Sequence, residues 1–473
     1  MSNDKDINWL SVILNIEFQN AVLIKTLAEV SMVSKFVREK LKPVVFENIE
    51  IMSRSTKFES NVLSIAIEEQ FKISLSDSDD LTWAEERLEK IKLDCQTLNE
   101  KHSSIIQDSF NEYDIALNNT KKFAKRFYLG QAKNAGYYLY PLINGFNNLT
   151  TLTIVYCNIP FTTFVEIGKT LPNLNTLDLG IVNLVKSSRD IIASSDISLP
   201  PNLTSIVIGS IQVATTDLLL YPYEYLFNNN EDNYSYEHFI IPKHNLPSLK
   251  NFKYYPSFNI SNNDIEENLG IEEFLAVNPK LESLDVSSYN LKMDSSLNSL
   301  EYLHTDDDIC FNSISNISNL DSINTLIFCL NKFEKAKNFR KLCMLCNNLV
   351  ELHLYKNGLF GDPQTLIDDF LTPALPKLSK LKTLQISGIH NDRFPKIFDF
   401  TKFSQIEELL LSGFGSISNI KFDTCKSLKR VRFGFYDYNI SEDDIKDEFK
   451  ELLNKYEDWT FKHEGRIILG NKI

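Results

Sequence analysis

From Leu149 to the carboxyl end, apolar residues recur as apolar-x-x-apolar-x-apolar. The clearest copy is Leu349, Leu352 and Leu354, followed by Asn357 and Leu359; Leu149, Leu152 and Ile154 lead to Cys157 and Ile159, and Ile323, Leu326 and Phe328 lead to Asn331 and Phe333. Weaker copies begin at Leu174, Leu203, Leu249, Leu281, Leu300, Leu381, Ile406 and Leu428, which makes about eleven starts, mostly about 19 to 32 residues apart. The second and third apolar positions alternate inward along a short strand, and Asn or Cys at the ninth position satisfies backbone groups where the chain turns off it. Such a unit buries its apolar side only against its neighbours. Between the strand motifs, residues 161–171 and 333–343 carry apolar residues at three-to-four spacing, which predicts helices on the opposite side. Pro172, Pro247, Pro279 and Pro376 each stand just ahead of the next strand motif, where a helix must already have ended. The longest gap, from Leu203 to Leu249, holds a Tyr- and Asn-rich insertion at 221–245 that reads as a projecting loop.

Upstream, the pattern changes. Residues 7–16, 23–41 and 43–46 read as short amphipathic helices. Leu81, Ala84, Leu88, Ile91, Cys95, Leu98, His102 and Ile105 keep a three- and four-residue alternation, the seam of a coiled coil or of one long amphipathic helix, and the pattern shifts at Ile106, Phe110, Tyr113 and Leu117. Residues 123–129 read as a degenerate first strand, followed by a helix over 132–146. At the far end Ser441 is a natural N-cap with Asp444 three residues on, opening a closing helix. Strand-like segments follow at 459–461 and 466–469. The expected organisation is therefore a helical module at 7–47, a helical connector at 48–122, repeats over 123–440 and a cap at 441–473.

The repeat motif fits the leucine-rich-repeat signature, which needs several copies in register to be stable. The resemblance implies an α/β, ribonuclease-inhibitor-like solenoid, a horseshoe with parallel strands on the concave face and helices on the convex face. The stretch from Leu27 through Val30, Val33 and Phe36 to Arg38 resembles the second half of an F-box, although Trp9 to Leu14 lacks the usual Leu-Pro opening. That resemblance implies an all-α module in which Ile13, Leu14, Leu27, Val30, Val33 and Phe36 supply the fold core and the adaptor-binding set. It further implies a Skp-type adaptor and a cullin–RING ubiquitin ligase as partners, with the repeats selecting a protein substrate for degradation. The alternative is a repeat scaffold without a ligase connection, its amino-terminal helices serving only as a cap.

Charge and composition narrow the field. With 49 Lys+Arg against 63 Asp+Glu the net charge is −14, which argues against a nucleic-acid surface. Seven scattered cysteines form no disulfide framework, no segment reads as an export signal or membrane span, and an intracellular protein, cytoplasmic or nuclear and monomeric outside a complex, is expected. Chemistry is sparse. Cys343 and Cys346 form one CxxC without a second ligand pair and read as core. Gly413 and Gly415 mark a turn, and Asp306 to Asp308 a solvated loop. No nucleophile and base lie close together in the sequence, so no enzyme activity, cofactor or metal is expected.

The positions flanking the inward apolar residues must face the concave side. They include Ser283, Asp285 and Ser287, then Tyr302, His304 and Asp306, then Glu351, His353 and Tyr355. Tyr255, Tyr302, His304, Glu351, His353, Tyr355, Arg430 and Arg432 form the candidate contact set for a protein substrate, since aromatic and Arg side chains anchor interfaces.

Overall fold

The structure is a computed structural model. It describes residues 24–52, 106–220, 223–227, 233–255, 270–286, 298–306, 320–330, 336–356, 371–387, 398–400, 403–413, 420–422, 425–435 and 440–473, without positions 33, 109 and 119 and with isolated residues such as Ile13, Gln19 and Ile417 besides. Two compact units divide the chain: residues 1–248 with 257–260, and residues 249–256 with 261–473.

In the first unit, β1 (Asn48–Met52), β2 (Arg126–Lys133), β3 (Thr151–Pro160) and β4 (Thr176–Lys186) lie side by side in parallel. β4 then pairs with β5 (Ser205–Gly209) along its first half and with β6 (Gln212–Thr215) along its second. β7 (Ser235–His238) returns antiparallel to β6. In the second unit, β8 (Asn251–Tyr255), β9 (Ser283–Asp285), β10 (Tyr302–Asp306), β11 (Thr325–Leu330), β12 (Glu351–Lys356) and β13 (Thr383–Ser387) follow in parallel register. β14 (Phe398–Asp399) forms a small ribbon with β16 (Ile420–Lys421), while β15 (Glu408–Ser412) and β17 (Arg430–Gly434) continue the main sheet. The hairpin of β18 (Trp459–Glu464) and β19 (Ile467–Lys472) closes it, β19 running antiparallel to β17.

The repeat pattern accounts for this architecture. All eleven starting residues, from Leu149 to Leu428, are buried, as are the second positions from Leu152 to Val431. Burial of a Leu-sized side chain contributes about 2 kcal/mol, so each turn of the chain is fastened by its own row. Just before each strand a carbonyl accepts two amides from the next repeat: Thr150 and Thr151 donate to Lys125, Asn324 and Thr325 to Glu301, Val350 and Glu351 to Asn324. Cys157 is buried with its thiol 3.6 Å from the Leu129 carbonyl, but it lies within β3, which runs on to Pro160, and not where the chain leaves the strand. Asn331 and Asn357 lie outside the described residues.

Several boundaries differ from the pattern-based expectation. The sheet begins at β1, inside the segment expected to be a helical connector, because Phe46, Ile49 and Ile51 carry the same motif and pair in register with β2. The expected helix over 132–146 starts only at Ala135, since β2 runs to Lys133; it is a short helix followed by a 3-10 turn at Tyr140–Gly145. Residues 161–171 form two single turns, Phe161–Phe164 and Ile167–Thr170. The amino-terminal stretch 23–41 is broken: α1 (Ile24–Ser31) ends, Ser34 caps α2 (Lys35–Val45) by accepting from the Val37 amide at 3.1 Å, and Pro43 is taken into the last turn of α2. The helices expected over 7–16 and the seam from Leu81 to Ile105 lie outside the described residues, apart from Ile13.

The insertion is a further correction. Its described part does not project: β7 extends the sheet, and the Tyr225 ring is buried beside Val185 and Ala214 among Tyr137, Tyr138 and Tyr234. Asn134 donates from its side-chain amide to the Tyr225 carbonyl at 3.0 Å, and Tyr223 donates to Gln107. Packing aromatic rings at centroid spacings near 5.3 Å, as for Tyr137 with Tyr138 and Tyr138 with Tyr223, repays the ordering of this segment. The closing helix α3 (Glu442–Lys455) has the expected capping box of Ser441 and Asp444.

Candidate functional site

Polar side chains of β8 and β10 converge on Asp285 of β9. Its partner in register across β9 and β10 is His304, and Nδ1 of that imidazole lies 2.9 Å from Asp285 Oδ1. From the other side Tyr255 donates its hydroxyl to Asp285 Oδ2 at 2.6 Å, and Lys253 Nζ stands 3.8 Å from the same oxygen. His304 is in register with Ile327, whose side chain occupies the same row, and its ring passes diagonally to Cys329: Nε2 and Sγ are 3.4 Å apart. Four side chains from four successive strands thus touch in a line, Tyr255, Asp285, His304 and Cys329.

Electrostatics keep that line polarised. Asp285 is only 3% exposed, and burial pushes its carboxyl up, but the contacts from His304 and Tyr255 together with the Lys253 charge outweigh it, so the group is held below the usual carboxylate range. The neighbouring Tyr302 hydroxyl is pushed up to about 12 by burial first and by the Asp285 charge second, so it stays protonated and neutral. The carboxylate 2.9 Å from Nδ1 offers a counter-charge to an imidazolium, while Nε2 faces the thiol.

On β12 the face continues with Glu351, His353 and Tyr355. Burial lowers the His353 pKa, Glu351 at 3.9 Å opposes that, and the charge of His304 adds to the lowering. Gln385 donates to the Tyr355 hydroxyl at 3.2 Å, and Ser412 donates to Ser387 at 2.7 Å. Of the expected contact set, Tyr255, Tyr302, His304, Glu351, His353 and Tyr355 therefore lie on one strand face of the second unit. Arg430 and Arg432 are exposed farther along it, Arg430 paired with Glu408. Asp306 is buried, not solvated, and residues 307 and 308 lie outside the described residues, as does Ser287.

Cys329 was not among the residues singled out by sequence. The signal was there: it follows Phe328, the third apolar position, and so must share the face of Tyr355, its register partner. Cys343 and Cys346 are core, and burial raises both thiols, Cys346 to about 12. Among the described residues no group of three His, Cys, Asp or Glu side chains is arranged to hold a metal ion. Gly413, with φ +85° and its amide bonded to the Gly434 carbonyl, makes the expected turn.

At the amino-terminal helices, Leu27, Val37 and Leu41 are buried. Val30 is half-buried and Ile13 partly so, Phe36 is 54% exposed, and Leu14 and Val33 lie outside the described residues. Met32, which the sequence reading did not select, is 70% exposed near Phe36.

No protein-family model matches the chain, and no curated protein matches it. Among solved structures, an internalin from Listeria monocytogenes matches at 16% identity over 63% of this chain and 78% of its own, with a TM-score of 0.28. The repeat architecture of each unit stands on its own strands: one buried apolar row per repeat and one shared parallel register. No described helix is long and apolar enough to cross a membrane.

Proposed function

We propose that the chain is a protein-interaction scaffold whose partner binds the strand face of β8 to β13. The observation that carries this reading is the row of half-buried Tyr302, His304, His353 and Tyr355, two each from β10 and β12, on the face opposite the buried apolar rows of the repeats. Side chains presented from paired strands are fixed by the ladder, so little freedom is lost on binding. A photo-crosslinking residue placed at Tyr355, and another at the fully exposed Ile191, tests it in cells of the source organism. A discrete protein adduct from position 355 and none from 191 supports the reading, and the reverse pattern refutes it.

The finer reading is a substrate-recognition subunit of a cullin–RING ubiquitin ligase, acting in the cytoplasm or nucleus, with α1 and α2 docking a Skp-type adaptor and the repeats carrying the substrate. Met32 and Phe36 support it, because an adaptor site needs exposed apolar side chains in just that segment. The chain would contribute proximity, with the ubiquitin chemistry done elsewhere. A pull-down of the full chain with a purified Skp-type adaptor tests this. Met32→Asp and Phe36→Asp are the informative changes; Leu27→Asp is not, since it would place a charge in the core. Binding that both surface changes abolish supports a ligase subunit, and no binding by well-folded chain leaves the scaffold alone.

A further inference from the structure

Asp285, His304 and Cys329 stand on three successive strands with one imidazole between a carboxylate and a thiol. That order is the arrangement of a nucleophile, a base and the group that orients the base. We propose that this trio is a thiol-exchange centre, in which Cys329 attacks an accessible disulfide and His304 carries the proton. This inference does not depend on either partner reading above.

The geometry assigns each step. His304 Nε2 takes the proton of the Cys329 thiol across their 3.4 Å contact, and Asp285 at Nδ1 stabilises the imidazolium that forms. The thiolate attacks one sulfur of the disulfide; the new bond from Cys329 to that sulfur forms as the old S–S bond breaks. The departing thiolate then takes the proton from His304 and leaves as a thiol. One S–S bond is lost and one gained, so Cys329 is oxidised as the leaving sulfur is reduced, and no further reagent enters.

One observation favours disulfide exchange over acyl transfer. Acyl transfer builds charge on an oxygen and needs amide donors aimed at it, whereas the backbone of β9, β10, β11 and β12 is engaged in strand pairing around the trio. Displacement at sulfur needs only a thiolate and an acid for the leaving group. The reacting pair is also reachable, since His304 and Cys329 are both half-buried, whereas Cys157, Cys343, Cys346 and Cys425 are buried.

Charged and titratable side chains surround the pair on the neighbouring strands. Lys253 and Tyr255 reach Asp285 from β8, Tyr302 and Asp306 flank His304 on β10, and Glu351, His353 and Tyr355 stand on β12.

The test is the rate at which Cys329 of the full chain forms a mixed disulfide with 4,4′-dithiodipyridine between pH 5 and 9, followed by mass-spectrometric peptide mapping. The same chain unfolded in urea is the reference, with oxidised glutathione as a second, bulkier disulfide. An ordinary thiol, with pKa about 8.5, loses about ten-fold in rate for each pH unit below it. At pH 6 the folded chain is expected to react at Cys329 about ten-fold faster than the unfolded one, and His304→Gln and Asp285→Asn to remove that advantage. Cys329→Ser marks the background. Circular dichroism identifies a variant that fails to fold, and His304→Gln then decides alone. A folded-state rate no greater than the unfolded one, or an advantage that survives in folded His304→Gln, would overturn the proposal.

Discussion

Tyr156 and Ile181 occupy the same point of consecutive repeats, and both have a left-handed backbone with φ +54°. On either side of them β3 and β4 pair normally, Val155 with Gly180 and Cys157 with Val182, so the two strands carry one shared bulge. Gln131 and Ser210, at φ +56° and +52°, continue the row into β2 and the residue after β5. The bulge turns the chain from the first strand segment to the second while keeping the repeats in step.

Ile181 is the residue least suited to that conformation, because its branched Cβ meets the backbone in the left-handed region. Its side chain is 45% exposed and loses little burial on replacement. Ile181→Asn is therefore expected to stabilise the chain by about 1 kcal/mol, the lower end of the cost of such strain. Urea unfolding of the two proteins checks it, and a lower midpoint for the variant would refute the strain argument.

The bulge row, like the trio on β9 to β11, was not visible in the sequence, whereas the repeats were. Every start from Leu149 to Leu428 could be read because the motif is local, six residues long and repeated. Asp285, His304 and Cys329 are separated by intervals set by the intervening segments, so no spacing announces them, and only the register of β9, β10 and β11 brings them together. β1 was missed for a different reason: Phe46 also completes the helical pattern of α2, and one apolar residue served two periodicities. The insertion was misread because polar composition hides which few rings, here Tyr223 and Tyr225, are buried.

Asn158 links the first unit's repeats from side to side. It donates to Asn134 Oδ1 at 2.6 Å and accepts from Asn183 at 2.9 Å, and Asn134 in turn holds the Tyr225 carbonyl. Asn158→Ala removes both hydrogen bonds from the part-buried ladder, at a cost of about 1 to 3 kcal/mol. It is expected to make the chain at 223–227 more sensitive to limited proteolysis than the rest of the first unit. Equal protection in the variant would show that the aromatic contacts of Tyr225 hold the insertion without the ladder.

His353 should titrate below the usual histidine range, and its neighbours allow the direction to be tested by nuclear magnetic resonance. Glu351→Gln removes the group that raises its pKa and should lower it further; His304→Gln removes a like charge and should raise it. With a depressed folded-state pKa, His353 contributes stability in full above its unfolded value near 6.5 and loses it as the pH falls through the folded value. His353→Gln is expected to flatten the stability profile in that interval.

Tyr255 and Asp285 give the complementary acid-side prediction. A hydrogen bond to a buried carboxylate contributes about 1.5 to 3 kcal/mol, so Tyr255→Phe should destabilise the second unit by that order at pH 7. The Asp285 carboxyl is held low in the folded chain, so this contribution is complete above the unfolded carboxylate value near 3.9 and disappears as the pH falls through the folded value. The gap between wild type and Tyr255→Phe, measured by urea unfolding at a series of pH values, should therefore be constant from neutral pH down to about 5 and narrow below about 4. The same substitution frees Asp285 Oδ2 while leaving its contact with His304 at Oδ1, so it raises the carboxyl pKa without removing the group that orients the imidazole. A gap that persisted unchanged to the lowest pH would mean that Tyr255 stabilises the fold through packing of its ring, and that the charge on Asp285 is held by His304 and Lys253 alone.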